Sequence, residues 1–317
     1  MVGIADQIKK KRERRMALKR DKNGKIKRRF GDRFNGRRLR TLPPMMYAVP
    51  FIMKERNDSQ NLFNSRVDMD IVEGFLRKCK NGEDERLRAL GFMHLLVAAY
   101  VRTVSQKPGI NRFVAGQRIY SRTEITLSMV VKKSMDLNAQ ESTIKVNFEP
   151  TDTILDVFNK MEEKIAIAKS AGDTNNFDHL MRKLFVLPRF VFRGFVGLLN
   201  FLDYNGIMPK FLHRVSPFHA SFFITNLGSL GIPPIYHHLY NFGDLPLFIS
   251  FGSMYREKII DKEGNEKVKK YLDYTVVMDE RITDGHYYSS ALKTLEYYMK
   301  HPTELLTPPE TVVEDIE

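Results

Sequence analysis

A single cysteine, Cys79, serves the whole 317-residue chain. One thiol rules out an internal disulfide framework and suits a reducing compartment. With no second cysteine and no clustered histidine–cysteine spacing, no zinc site is expected. Cys79 lies between Lys78 and Lys80, and a structural thiol is expected there ahead of a reactive one. Long apolar runs are also scarce. The longest, Leu184 to Leu202, is broken by Arg189 and Arg193 and does not predict a membrane span. No apolar stretch follows the first basic residues, so no secretory leader is expected and the predicted compartment is the cytoplasm.

Acidic residues are sparse at one end. Residues 1–40 hold 17 Lys+Arg against 4 Asp+Glu, whereas the rest of the chain holds 34 of each and is neutral. The net charge of +13 therefore belongs to an arm and not to the body. The arm has few apolar residues to bury and predicts a helix of partial stability followed by an irregular segment. Such a segment suits anionic lipid, nucleic acid, cofactor phosphates or a neighbouring subunit. It lacks the interleaved aromatics that stack single-stranded bases, which disfavours nucleic acid. A solvated arm is the plainer expectation.

Past Pro43-Pro44 the chain, 43% hydrophobic overall, is long enough to bury a large core. The pattern predicts a partial helix within 45–64, a strand at 65–70 and a helix at 71–80. A close-packing helix follows around Gly91–Val101, then a half-buried strand from Ser121 to Lys132, where Ile125, Leu127, Met129 and Val131 alternate with polar residues. His94 on the apolar helix reads as a satisfied edge histidine. Thr151 to Ala171 has helical spacing, and a mostly apolar helix over 181–202 should be kinked or split at Pro188. That segment has three readings: a buried or subunit-contact helix, a wall for an acyl chain, or a helix lying on a membrane surface. Lys258 to Lys269 predicts a hairpin turning at Glu263-Gly264-Asn265.

The segment on which the chemistry turns is Met278-Asp279-Glu280-Arg281-Ile282-Thr283-Asp284-Gly285. It stands between the apolar run Tyr274–Met278, a predicted strand, and the amphipathic Tyr287–Met299, a predicted helix. It resembles the His-Arg-x-x-Asp-Gly signature of dihydrolipoyl acyltransferases, whose fold chloramphenicol acetyltransferases share. Ala220-Ser221-Phe222-Phe223-Ile224-Thr225-Asn226-Leu227-Gly228 is similar to that family's Phe-Thr-Ile-Ser-Asn-Leu-Gly strand. Leu247–Gly252, Val67–Asp70 and Lys107–Asn111 resemble three further family segments in the same order.

The resemblance implies an α/β two-layer sandwich with a mixed β-sheet, in a homotrimer whose active sites lie between subunits. It implies an arm over 1–44, a catalytic domain over 45–308 with a divergent helical region at 149–217, and an acidic tail at 309–317. No lipoyl domain is found in residues 1–44. The implied reaction takes coenzyme A thioester as co-substrate and a small hydroxyl, amine or thiol acceptor. Thr225 takes the place of the family's oxyanion-stabilising serine and keeps a hydroxyl. Asn226, Gly228 and Gly285 match family positions at the cofactor channel. Asp284 matches the aspartate that fixes the loop through an arginine, here expected to be Arg56.

The departure is Glu280, which stands where the family has its catalytic histidine. Three outcomes follow. Glu280 is itself the base, its pKa raised in an apolar channel; a nearby histidine, His237, His238 or His286, replaces it; or the site is dead and the protein is a ligand-binding or scaffolding trimer.

Overall fold

The computed structural model describes residues 26–132, 141–170, 186 and 188–316. The helix expected near the N-terminus and the first part of the 181–202 helix lie outside the described residues. In chain order the elements begin with β1 (Gly36–Arg38), α1 (Pro44–Ile52), β2 (Gln60–Asp68), α2 (Met69–Asn81) and α3 (Phe92–Gln106). There follow β3 (Arg112–Ala115), β4 (Arg118–Arg122), β5 (Ile125–Lys132), β6 (Glu141–Phe148) and α4 (Ile154–Ser170). The chain ends with α5 (Arg189–Tyr204), α6 (Lys210–Val215), β7 (Phe222–Asn226), β8 (Leu247–Ile260), β9 (Glu266–Asp279) and α7 (Gly285–Lys300).

Six strands form a mixed sheet in the order β2-β9-β8-β7-β5-β6. β7 runs parallel to both β5 and β8, and the other neighbours are antiparallel. The period-two alternation of the strands decides which face carries the helices. Ile249 and Phe251 of β8 and Tyr274, Val276 and Met278 of β9 share one buried cluster with residues of α2, α3, α4 and α7. Ala98 and Ala99 are fully buried in α3, where small side chains let the helix lie close to the sheet. Phe248 and Val277 point the other way and pack with Leu239 and Leu245 of the segment before β8. The molecule is an α/β sandwich with a thinner covering on its second face.

Several boundaries move. The strand expected from residue 65 begins at Gln60, because its full length pairs with β9 from Gln60↔Asp279 to Asp68↔Tyr271. The strand expected over 121–132 is two strands. Arg118–Arg122 belongs to a small separate sheet, β1-β4-β3, and only Ile125 onward joins the large one. Pro188 is the N-cap of α5, which accounts for the expected break. Cys79 is buried, and its desolvation pushes the thiol pKa up, which disfavours the reactive thiolate. His94 accepts the Gly91 amide at 3.0 Å and sits 3.2 Å from Glu162, a helix-start role.

The described part of the basic segment and the end of the acidic tail both pack against the body. Residues 26–40 are not a free arm: β1 pairs with β4, and Arg33 forms a buried 2.5 Å ion pair with Asp203. At the other end Asp315 is buried and held by Arg112 at 2.5 and 2.8 Å, while Arg37 donates to its carbonyl at 2.9 Å. Two buried cations need a buried acid, and the last residues of the chain supply it.

Candidate active site

β9 ends at Asp279, and its end is built around that carboxylate. Asp279 is fully buried and takes two bonds from the Arg281 guanidinium, each 2.8 Å, one from the Arg281 amide at 3.1 Å and one from Arg56 at 3.2 Å. Arg281 also donates to the Met53 and Lys54 carbonyls at 3.2 and 2.9 Å. Arg56 donates to the carbonyls of Tyr240 (2.8 Å) and Val114 (3.0 Å). Burial lowers the Arg56 pKa, against the attraction of Asp279. This carboxylate clamp joins the segment before β2, the β3 end and the loop after residue 239 to the strand.

Arg56 therefore pairs with Asp279 and not with Asp284. Asp284 is exposed and caps α7, its carboxylate accepting the Tyr287 amide at 2.8 Å. Gly285, the first residue of α7, sits where the backbone is open. Its φ is not positive, and an added Cβ would meet nothing within 4 Å. Gly285→Ala is expected to leave stability unchanged or to raise it by about 0.5 kcal/mol, read from a denaturant midpoint; a clear loss would contradict the open geometry.

Glu280 follows Asp279 in a 3-10 turn, its amide donating to Ser59 at 2.8 Å. The side chain is exposed. The apolar channel expected around this carboxylate is not formed by one chain alone.

Thr225 lies on β7, half-buried, in a row of hydroxyls crossing three strands. It stands opposite Ser250, and Ser250 opposite Thr275. Ser250 Oγ accepts the Ile235 amide at 3.2 Å and Thr275 Oγ1 donates to the Ile235 carbonyl at 2.5 Å, pinning the loop that follows β7. The Thr225 hydroxyl makes no hydrogen bond among the described residues and stays available. The next positions have folding duties. Asn226 accepts the Ser229 amide at 3.2 Å, and a Cβ on Gly228 would stand 2.6 Å from the Gly252 carbonyl oxygen.

From Ile235 the loop runs along the second face of the sheet to Gln60, whose Oε1 accepts the Leu239 amide at 2.8 Å. His237 and His238 lie on this path. The His237 ring stacks on Phe248 at 3.9 Å, and its Nδ1–H donates to the His238 carbonyl at 2.9 Å. That bond selects the neutral tautomer with a lone pair on Nε2. Burial lowers the His237 pKa from its ordinary 6.5. His238 is exposed beside it, and His286 is exposed at the start of α7.

Within one chain Thr225 and Glu280 do not meet. Thr275 marks the level of Thr225, and Glu280 lies five residues farther along, a displacement of about 17 Å along β9 and about 10 Å across two strands. Beside the Glu280 turn opens a cleft of about 630 Å³, lined by Lys54, Glu55, Arg56, Asn200, Tyr204 and Arg281 among others. That volume is in the range of small-molecule sites. Among the described residues no group of His, Cys, Asp and Glu is placed to hold a metal ion.

Sequence reasoning missed the Asp279 clamp and the Ser250–Thr275 pair. A signal for the clamp was present, since an acid ending an apolar strand two residues before an arginine needs a buried partner.

Burial lowers the pKa of His94, His213 and His237 below the ordinary 6.5. Just below that pH the unfolded chain binds more protons than the folded one, so stability falls on acidification. The denaturation midpoint should hold between about pH 8 and pH 7 and drop from about pH 6.5 to pH 5. A midpoint that rises over the lower window would contradict this.

No protein-family model matches the sequence, and neither does any curated protein. Solved structures do. The chain is similar to a probable dihydrolipoamide acetyltransferase from Listeria monocytogenes at 14% identity, covering 85% of this chain and 93% of that one, with a TM-score of 0.51. The dihydrolipoamide acetyltransferase of Azotobacter vinelandii matches at 13% identity over 84% and 94% of the two chains, TM-score 0.53. A chloramphenicol acetyltransferase matches at 12% identity over 81% and 94%, TM-score 0.50. The fold is that of the chloramphenicol acetyltransferase-like proteins.

Proposed function

We propose that the protein transfers an acyl group from a coenzyme A thioester to a small hydroxyl, amine or thiol acceptor, in a site completed by a second copy of the chain in a homotrimer. The observation that carries the reading is Thr225, an unengaged hydroxyl on the strand that leads into Asn226 and Gly228. A donor so placed can hold the oxygen of a tetrahedral intermediate. Glu280 takes the acceptor's proton as the acceptor attacks the thioester carbonyl. Collapse of the intermediate expels the coenzyme A thiolate, which takes that proton back. The separation of Thr225 from Glu280 within one chain supports a site that pairs Glu280 of one copy with Thr225 of the next.

A second reading rests on His237, neutral and with Nε2 free, as the base. The pH profile of kcat/KM and two substitutions separate the readings. With Glu280 as the base, Glu280→Gln abolishes turnover while His237→Asn spares it. A His237 base gives a limb at or below the ordinary histidine value of 6.5, and the two variants exchange outcomes. The experiment is thiol release from acyl-CoA by the purified protein. No release with any acyl donor and acceptor pair would leave a ligand-binding or scaffolding trimer.

A further inference from the structure

α5 is covered by the protein along only part of its circumference. At 100° per residue, Phe190, Val191, Gly194, Leu198 and Phe201 fall within one arc of about 100°. Phe190, Leu198 and Phe201 are 77%, 53% and 60% exposed. Gly194 in the arc and Gly197 at its edge add no side chain, and a Cβ built on either meets nothing within 4 Å. Opposite the arc, Asp203 turns into the body, where Arg33 holds it. α6, just beyond, exposes Phe211, and Ile207 is exposed between the two helices.

The charge around this face has one sign. From Val186 to Val215 the cations are Arg189, Arg193, Lys210 and Arg214, all exposed, and the single acid is the buried Asp203. The basic N-terminal segment enters the fold at the same place. Arg33 meets Asp203, and Lys210 Nζ lies 5.9 Å from the Phe34 ring centre. The described stretch 26–40, with seven Lys+Arg, thus packs beside an uncovered apolar helix face. Among the described residues no helix is long and apolar enough to cross a membrane.

We propose that the outer face of α5 lies on an anionic lipid surface, its apolar arc in the headgroup boundary and the flanking basic residues against the lipid phosphates. Charge complementarity favours this occupant: Arg189, Arg193, Lys210 and Arg214 have no acidic partner among the described residues, and an anionic surface supplies one. An apolar face and a polybasic segment are two signals of the kind that together hold a protein on a bilayer. The inference is independent of any catalytic role.

The chain contains no tryptophan, so Phe201→Trp installs a single fluorescent reporter on the arc. The full chain carrying it is mixed with vesicles of phosphatidylcholine with and without phosphatidylglycerol. Binding should be at least about tenfold tighter to the anionic vesicles, should blue-shift the reporter, and should weaken at high salt. Phe190→Asp with Leu198→Asp should cut binding by at least about tenfold without moving the denaturation midpoint, as expected at exposed positions. Absence of vesicle binding would overturn the proposal. So would binding undiminished by the two aspartates, which would assign it to the basic segment alone. A reporter already blue-shifted without lipid, with a lower molecular mass in the aspartate variant, would show a second copy on this face and overturn it equally.

Discussion

Thr225→Val lowers kcat for thiol release from acyl-CoA by about 100-fold or more, the effect of removing one preorganised donor from a developing oxyanion, about 3 kcal/mol. KM changes little, because the bond matters most when charge builds up in the transition state. Stability also changes little. Valine keeps the shape and strand preference of threonine, and the hydroxyl it removes makes no hydrogen bond among the described residues. Thr225→Ser keeps the donor and retains most of the rate. Equal loss of kcat and stability in the valine variant would mean that the hydroxyl serves the fold.

The second large effect is structural. Asp279→Ala leaves Arg56 and Arg281, both buried, without their shared carboxylate. Breaking a buried pair from one side costs about 3–5 kcal/mol, because the remaining charge has no solvent to replace its partner. The loss should show as a lower denaturant midpoint and poor recovery of folded protein. Asp284→Ala removes only a helix cap and should cost about 1 kcal/mol. Reversal of that order would restore Asp284 as the partner of Arg56.

These two aspartates show where the sequence stops being informative. Both flank the same arginine in Asp279-Glu280-Arg281-Ile282-Thr283-Asp284. Which one is buried depends on Arg56, 223 residues away, and on the loop carbonyls it also reaches. The apolar strand ending at Asp279 signals a buried acid, but no local pattern names Arg56 as its partner. Parts of the large sheet were legible. The alternation of β5 and the apolar run ending β9 read as strands, and β7 and β8 were placed by the family resemblance, but β6 was not read as a strand. The small sheet was not legible. Its strands are three to five residues long and rich in arginine, so Gly36–Arg38 and Arg118–Arg122 read as arm and strand extension until their pairing is seen. The role of Asp315 in the acidic tail is likewise hidden until Arg112 is found beside it.

The candidate site divides likewise. Thr225, Asn226 and Gly228 could be placed from residue order, but Asn226 and Gly228 prove to hold the turn after β7. The tautomer of His237 depends on a carbonyl in its own loop and a ring on β8, and only the fold brings these together.

The central claim is that Glu280 and Thr225 act on the same substrate from different copies of the chain. The most direct test denatures Glu280→Gln and Thr225→Val variants together in equal amounts and lets them reassemble. Each variant alone retains at most about 1% of the rate. Random assembly of a closed ring gives about a quarter of the sites an intact Glu280 facing an intact Thr225, and about a quarter of wild-type activity. Activity no higher than that of either variant alone would contradict the shared site.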